Sequence, residues 1–151
     1  MAESLHIVCP HCHTTNRVAN AQLTSAPDCG SCHQPLFTGQ PVALNESAFD
    51  RHISRNQIPV LVDFWAPWCG PCRQMAPAYA LAAAQLEPLV QLAKVDTEAV
   101  PALGARFNIR SIPTLALFSG GREVARQAGA MGTADIVRWV RSQLPPVHTP
   151  P

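Results

Sequence analysis

The sequence predicts an α/β protein, a central mixed sheet with helices on both faces, preceded by a small cysteine-rich module. Three observations predict it. The nearly continuous apolar run Ile58 to Trp65 is rich in branched residues, as a strand buried on both faces is. Strand-like and helix-like stretches follow one another around it in the order βαβαβαββα, which combines parallel crossovers with a terminal hairpin. Ahead of them, four of the six cysteines form two C-x-x-C pairs.

Those pairs are Cys9/Cys12 and Cys29/Cys32, spaced C-x2-C-x16-C-x2-C. Each C-x-x-C makes a tight turn that aims two sulfurs at one point. Two such turns supply the tetrahedral thiolate shell of a closed, structural zinc site. A segment this short buries too little apolar surface to fold alone, and the metal makes up the difference. Two structural disulfides in an exported module, or a second redox pair, are the alternatives. His6, His11, His13 and His33 share the segment. With four cysteines at ribbon spacing they read as surface or supporting groups, although mixed ligation stays open.

Pro35 to Pro41 carries turn residues and no period, which places a boundary near Gly39. The expected division is a zinc ribbon at 1–38, a main domain at 39–144 and a disordered tail at 145–151, where four of seven residues are proline. Val42 to Leu44 reads as an edge strand. Asn45 or Ser47 caps a helix to about Asn56, with Phe49 and Ile53 on its core face. Ile58 to Trp65 is the central strand. Cys72 to about Leu86 is a helix with an expected kink at Pro77. Val90 to Val95 is a strand, and Thr97 to Phe107 holds a short helix. Thr114 to Phe118 and Glu123 to Ala128 form a hairpin across Gly120-Gly121. Thr133 caps a last helix through Leu144.

Composition narrows the function. A net charge of +1 gives no field for nucleic acid or an anionic membrane surface. Arg17 is the one Lys or Arg in residues 1–40, so the ribbon lacks a phosphate-binding face. No apolar run reaches the roughly 18 residues of a spanning helix. The first residues have neither a basic nor an apolar signal region, so a cytoplasmic location is expected. A monomer is expected, with no nucleic-acid or membrane partner.

The chemistry points to Trp68-Cys69-Gly70-Pro71-Cys72, at a strand-to-helix junction. Positions i and i+3 share a helix face, so Cys69 and Cys72 can close a disulfide. The helix start aims unpaired N–H groups and a positive dipole end at Cys69, which favours its thiolate. Pro71 suits a first helical turn, and Gly70 leaves the approach to Cys69 open. Cys69 is read as an exposed nucleophile at the helix tip, with Cys72 one turn inside. Asp63 is a carboxylate within an apolar strand, where desolvation raises its pKa.

The segment Phe64-Trp65-Ala66-Pro67-Trp68-Cys69-Gly70-Pro71-Cys72 resembles the active-site segment of the thioredoxin family, and the resemblance extends over about residues 42–144. The layout of ribbon followed by such a domain resembles the zinc-bearing bacterial thioredoxins. The resemblance implies a protein-disulfide reductase on a thioredoxin fold. It makes Asp63 the buried aspartate that assists proton transfer at Cys72, and Lys94, the one lysine of the chain, its electrostatic neighbour. It makes Ile112-Pro113 a cis-proline segment facing the cysteines, with the Ile112 backbone free to pair with a substrate strand. Trp68, Gly70, Pro71, Ile112 and Gly129, with Pro67 and Ala130, would form the docking rim, and Trp65 would pack beside it. Gly-Pro between the cysteines resembles the reducing members. The implied partners are oxidised cytosolic proteins and a thioredoxin reductase that passes electrons from NADPH, with no organic cofactor bound to this chain. Pro67 departs from the common polar residue there and puts partner preference in doubt. Two other readings stay open: a zinc-gated redox sensor or holdase, and a non-catalytic binding module.

Overall fold

The computed structural model describes residues 3–144. The expected tail at 145–151 lies outside them. The cysteine-rich module is built on a hairpin that no sequence period announces. Strand β1 (Ser4–Val8) pairs antiparallel with β2 (Thr15–Ala19), Ser4 opposite Ala19 and Val8 opposite Thr15. Both cysteine pairs sit in the same kind of turn. Cys9 N–H donates to Thr14 O and His13 N–H to Cys9 O, just as Cys29 N–H donates to Gln34 O and His33 N–H to Cys29 O. His13 and His33 take the left-handed position that closes each turn, with φ of 64° and 66°.

The main domain follows as β3 (Val42–Ala43), α1 (Glu46–Arg55), β4 (Val60–Trp65), α2 (Gly70–Leu86), β5 (Gln91–Asp96), α3 (Pro101–Arg106), β6 (Thr114–Ser119), β7 (Arg122–Ala128) and α4 (Thr133–Gln143). The sheet order is β3-β5-β4-β6-β7. Strands β3 and β4 run parallel to β5, while β6 is antiparallel to β4 and β7. Strand alternation then assigns the two faces. Leu61, Leu92, Leu115 and Leu117 pack under α2 and α4, against Met75, Tyr79, Ile136 and Val140. Val60, Val62 and Phe64 face the other way, into Phe49, Ile53, Leu103 and Phe118. Asp63, two residues beyond Leu61, therefore falls on the face covered by α2.

Several boundaries differ from expectation for local reasons. Strand β4 begins at Val60 because Ile58 turns away to pack with Ile7, Val18 and Leu36 of the ribbon. Helix α2 starts at Gly70, since Cys69 itself is the cap, and it continues through Pro77 to Leu86. Helix α3 is confined to Pro101–Arg106. Asn45 caps α1, its side chain accepting the Ala48 N–H at 2.8 Å. Thr133 does not cap α4. Gly132 holds that position, and the Thr133 hydroxyl donates to Ala78 O at 3.1 Å, tying α4 to α2.

The ribbon docks on the main domain through polar groups, some exposed and some buried. Asn56 Oδ1 accepts the Val8 N–H at 2.9 Å, and Gln57 accepts the His6 N–H at 2.8 Å while its own N–H donates to His6 O at 2.9 Å. His52, on the core face of α1, is fully buried. Its Nδ1 meets Gln91 Oε1 at 2.9 Å, and the Asn56 amide donates to the same oxygen at 2.7 Å. His52 Nε2 lies 3.0 Å from His13 Nδ1 of the ribbon. If Nδ1 of His52 carries the proton, as an amide oxygen partner requires, Nε2 accepts from His13. Burial holds the His52 pKa down to about 4, which keeps the ring neutral.

Candidate functional site

Where β4 ends at Trp65, the chain turns through Ala66 to Trp68 and enters α2. Cys69 is the N-cap of that helix: its Sγ accepts the Cys72 N–H at 3.2 Å. The first sulfur thus sits on the donor end of the helix, where negative charge is favoured. Cys69 and Cys72 form a disulfide, with Cα atoms 5.3 Å apart. Cys69 is not the exposed tip that its position suggests. It is 5% exposed and Cys72 2%, because Trp65, Ala66 and Ile112 pack around the pair. The residue at the surface is Trp68, 66% exposed.

Other expected residues converge on the same place. The Ile112-Pro113 bond is cis, and Ile112 O lies 3.7 Å from Cys69 Sγ. Gly129 donates its N–H to Pro113 O at 2.9 Å. It adopts φ of 98°, which a side chain would strain, and the space where its Cβ would stand is open. Space around Gly70 is open too, and Pro71 is exposed. Trp68 and Ile112 border a hollow of 210 Å³ with Thr97 and Ile109.

On β4, on the face covered by α2, lies Asp63, 1% exposed, with its Oδ1 buried and without a hydrogen-bond partner. Burial pushes its carboxyl up to about 7, opposed by the charge of Lys94. Lys94 is the register neighbour of Asp63 on β5. Its ammonium lies 4.3 Å from the centre of the Trp65 ring, a cation–π contact. Tyr79, which the sequence reading passed over, is fully buried beneath the same strands. Its hydroxyl reaches Leu61 O at 3.0 Å and Ala93 O at 2.8 Å. Its place one turn beyond Met75, on the apolar stripe of α2, was the available signal.

The four remaining cysteines meet in the ribbon, all Sγ atoms within 4.8 Å of one another. Cys9 and Cys32 are 3.6 Å apart, as are Cys12 and Cys29. A tetrahedral zinc with bonds of about 2.3 Å spaces its sulfurs by about 3.8 Å, whereas a disulfide needs about 2.05 Å. The His11 and Ser31 N–H groups donate to the sulfurs of Cys9 and Cys29 at 3.3 Å, as thiolates attract. The donor set fits zinc, and among the described residues no histidine joins it.

Two family profiles match the chain: thioredoxin over residues 40–142, and the N-terminal region of thioredoxin 2, a zinc ribbon, over residues 8–34. The chain belongs to the thioredoxin family. Thioredoxin C-3 of Corynebacterium nephridii is 50% identical over 91% of this chain and 94% of its own length. Thioredoxin 1 of a Nostoc species is 44% identical over 67% of this chain, and the Haemophilus influenzae thioredoxin 36% identical over 67%. The chain is accordingly a thioredoxin-type thiol–disulfide oxidoreductase with the Cys69/Cys72 pair and a structural zinc ribbon. Among the described residues no helix is long and apolar enough to cross a membrane.

Proposed function

We propose that the reduced chain reduces protein disulfides by a two-step exchange at Cys69 and Cys72. The Cys69 thiolate attacks one sulfur of the substrate disulfide; the Cys69–substrate bond forms and the other substrate sulfur leaves as thiolate. The Cys72 thiolate then attacks Cys69 Sγ, the mixed disulfide breaks and the second substrate thiolate is released. The substrate gains two electrons and the chain is left with the Cys69–Cys72 disulfide. The observation that carries this reading is Cys69 capping α2 while bordering the Ile112 carbonyl, a sulfur held at a donor end beside backbone that lies outside the strand ladder.

Asp63 takes the proton that Cys72 must lose before it attacks. A carboxyl titrating near neutral pH, on the strand that leads into the cysteine turn and on the face that α2 covers, supports that role. Lys94 tunes Asp63 from its side. Trp68, Gly70, Pro71, Ile112, Pro113 and Gly129 form the surface on which an extended substrate segment lies. Electrons return from NADPH through a thioredoxin reductase, and the substrates are oxidised cytosolic proteins met by a monomer in the cytoplasm. The zinc, when bound, cross-links the ribbon and takes no part in electron transfer. A division near Gly39 is supported by the two family matches, which end and begin on either side of it.

The test is reduction of insulin with NADPH and a thioredoxin reductase. The native chain turns over and Cys69→Ser loses all turnover. A native chain with a reducible Cys69–Cys72 bond and no turnover would favour the redox-sensor reading instead.

A further inference from the structure

We propose that the cleft between the ribbon and the C-terminal end of α2 is a binding site for an arginine side chain of a partner protein. The cleft encloses about 330 Å³. Leu23, Ala26 and Phe37 form one wall and Ala84 and Pro88 the other. Its single charged lining residue is Glu87, the C-cap of α2.

That carboxylate is poorly placed for the isolated chain. It stands at the negative end of a 17-residue helix, where the dipole disfavours an anion. It is half-buried, and burial pushes its carboxyl up to about 7. Among the described residues its one hydrogen bond comes from the Gly39 N–H, which donates to Oε2 at 2.8 Å, and no cation pairs with it. A guanidinium entering the cleft would supply both the missing charge and two parallel donors. Its aliphatic stem would lie along Leu23 and Phe37, covering apolar surface. The volume, at the small end of ligand pockets, suits one long side chain better than a cofactor.

The cleft is also held ready. Gly39 adopts φ of +71° and lies beside α2, where a Cβ would stand in ordinary van der Waals contact with the Ala84 methyl at 3.8 Å. The linker is thus fixed against α2, with its N–H already on Glu87. Helical rise puts this end of α2 roughly 25 Å from Cys69, so occupancy and redox chemistry are separate events.

The test uses the full zinc-loaded chain. N-acetyl-arginine amide is titrated while the Gly39 amide is followed by NMR, with N-acetyl-citrulline amide as the neutral equivalent. Glu87→Gln removes the charge and keeps an oxygen for the Gly39 N–H. The expected result is a saturable Gly39 shift with the arginine probe, binding roughly tenfold weaker for citrulline and for Glu87→Gln, and unchanged insulin reduction by the variant. An unsaturable shift, equal binding of the two probes by the native chain, or undiminished arginine binding by Glu87→Gln would overturn the proposal.

Discussion

Asp63 sets chemistry against stability within one residue. Its carboxyl moves from an ordinary 3.8 to about 7 on folding. Between those values the unfolded chain has released the proton and the native chain still holds it, so stability falls as pH rises from about 4 to about 7. Asp63→Asn removes the dependence. Roughly three units at about 1.4 kcal/mol each make its effect at pH 8 more stabilising than at pH 4 by up to about 4 kcal/mol. The same variant slows insulin reduction at pH 7 by on the order of tenfold, because Cys72 loses its proton acceptor. Urea unfolding at the two pH values and initial rates check both halves; equal stability changes at pH 4 and pH 8 would contradict the first. This residue was legible in the sequence because a carboxylate in an apolar strand breaks a local rule. The six cysteines were legible by their C-x-x-C spacing, and Pro113 by the resemblance of its segment to the family. His52 and Tyr79 were not, since each follows the apolar stripe of its helix, and only the packed structure shows that their polar atoms have partners. The depth of Cys69 was misread for a related reason: its cover comes from Ile112, 43 residues further on.

Helix α2 is the element that joins the site to the core. Its first residue follows the capping sulfur, and Tyr79 further along pins it to β4 and β5 through two carbonyls. Tyr79→Phe keeps the ring and leaves those carbonyls without the hydroxyl, which costs about 1–3 kcal/mol in urea unfolding. Loss of under about 0.5 kcal/mol would show that the sheet satisfies them unaided. The order and type of the main-domain elements were readable because their periods are long and their turns carry Gly, Pro or Asn. Ends were less so. Thr133 looked like a cap, yet its hydroxyl serves Ala78 across the helix pair, a tertiary contact that no local pattern encodes. The ribbon hairpin escaped because five-residue strands of mixed polarity have little period to detect.

At the scale of the molecule the ribbon is part of the main domain's covering. Ile58 is buried by Ile7 and Leu36, while Asn56 and His52 find partners on Val8 and His13. Zinc holds the turns that present those partners. Stripping it with a strong chelator under reducing conditions therefore lowers the melting temperature of the whole chain, by about 2–4 °C for each kcal/mol of lost docking. Calorimetry of the loaded and stripped chain measures it, and an unmoved main-domain transition would contradict the coupling. Spacing alone disclosed the metal site. It could not disclose the docking, which depends on polar residues spread over α1 and β5.

The most direct test of the central claim is to trap the intermediate. The reduced Cys72→Ser chain, mixed with a protein disulfide, should accumulate a covalent complex through Cys69 that dithiothreitol releases and mass spectrometry locates. The Cys69→Ser chain should form none. A stable complex through Cys72 in the Cys69→Ser chain, with none in Cys72→Ser, would contradict the assignment of Cys69 as the attacking sulfur.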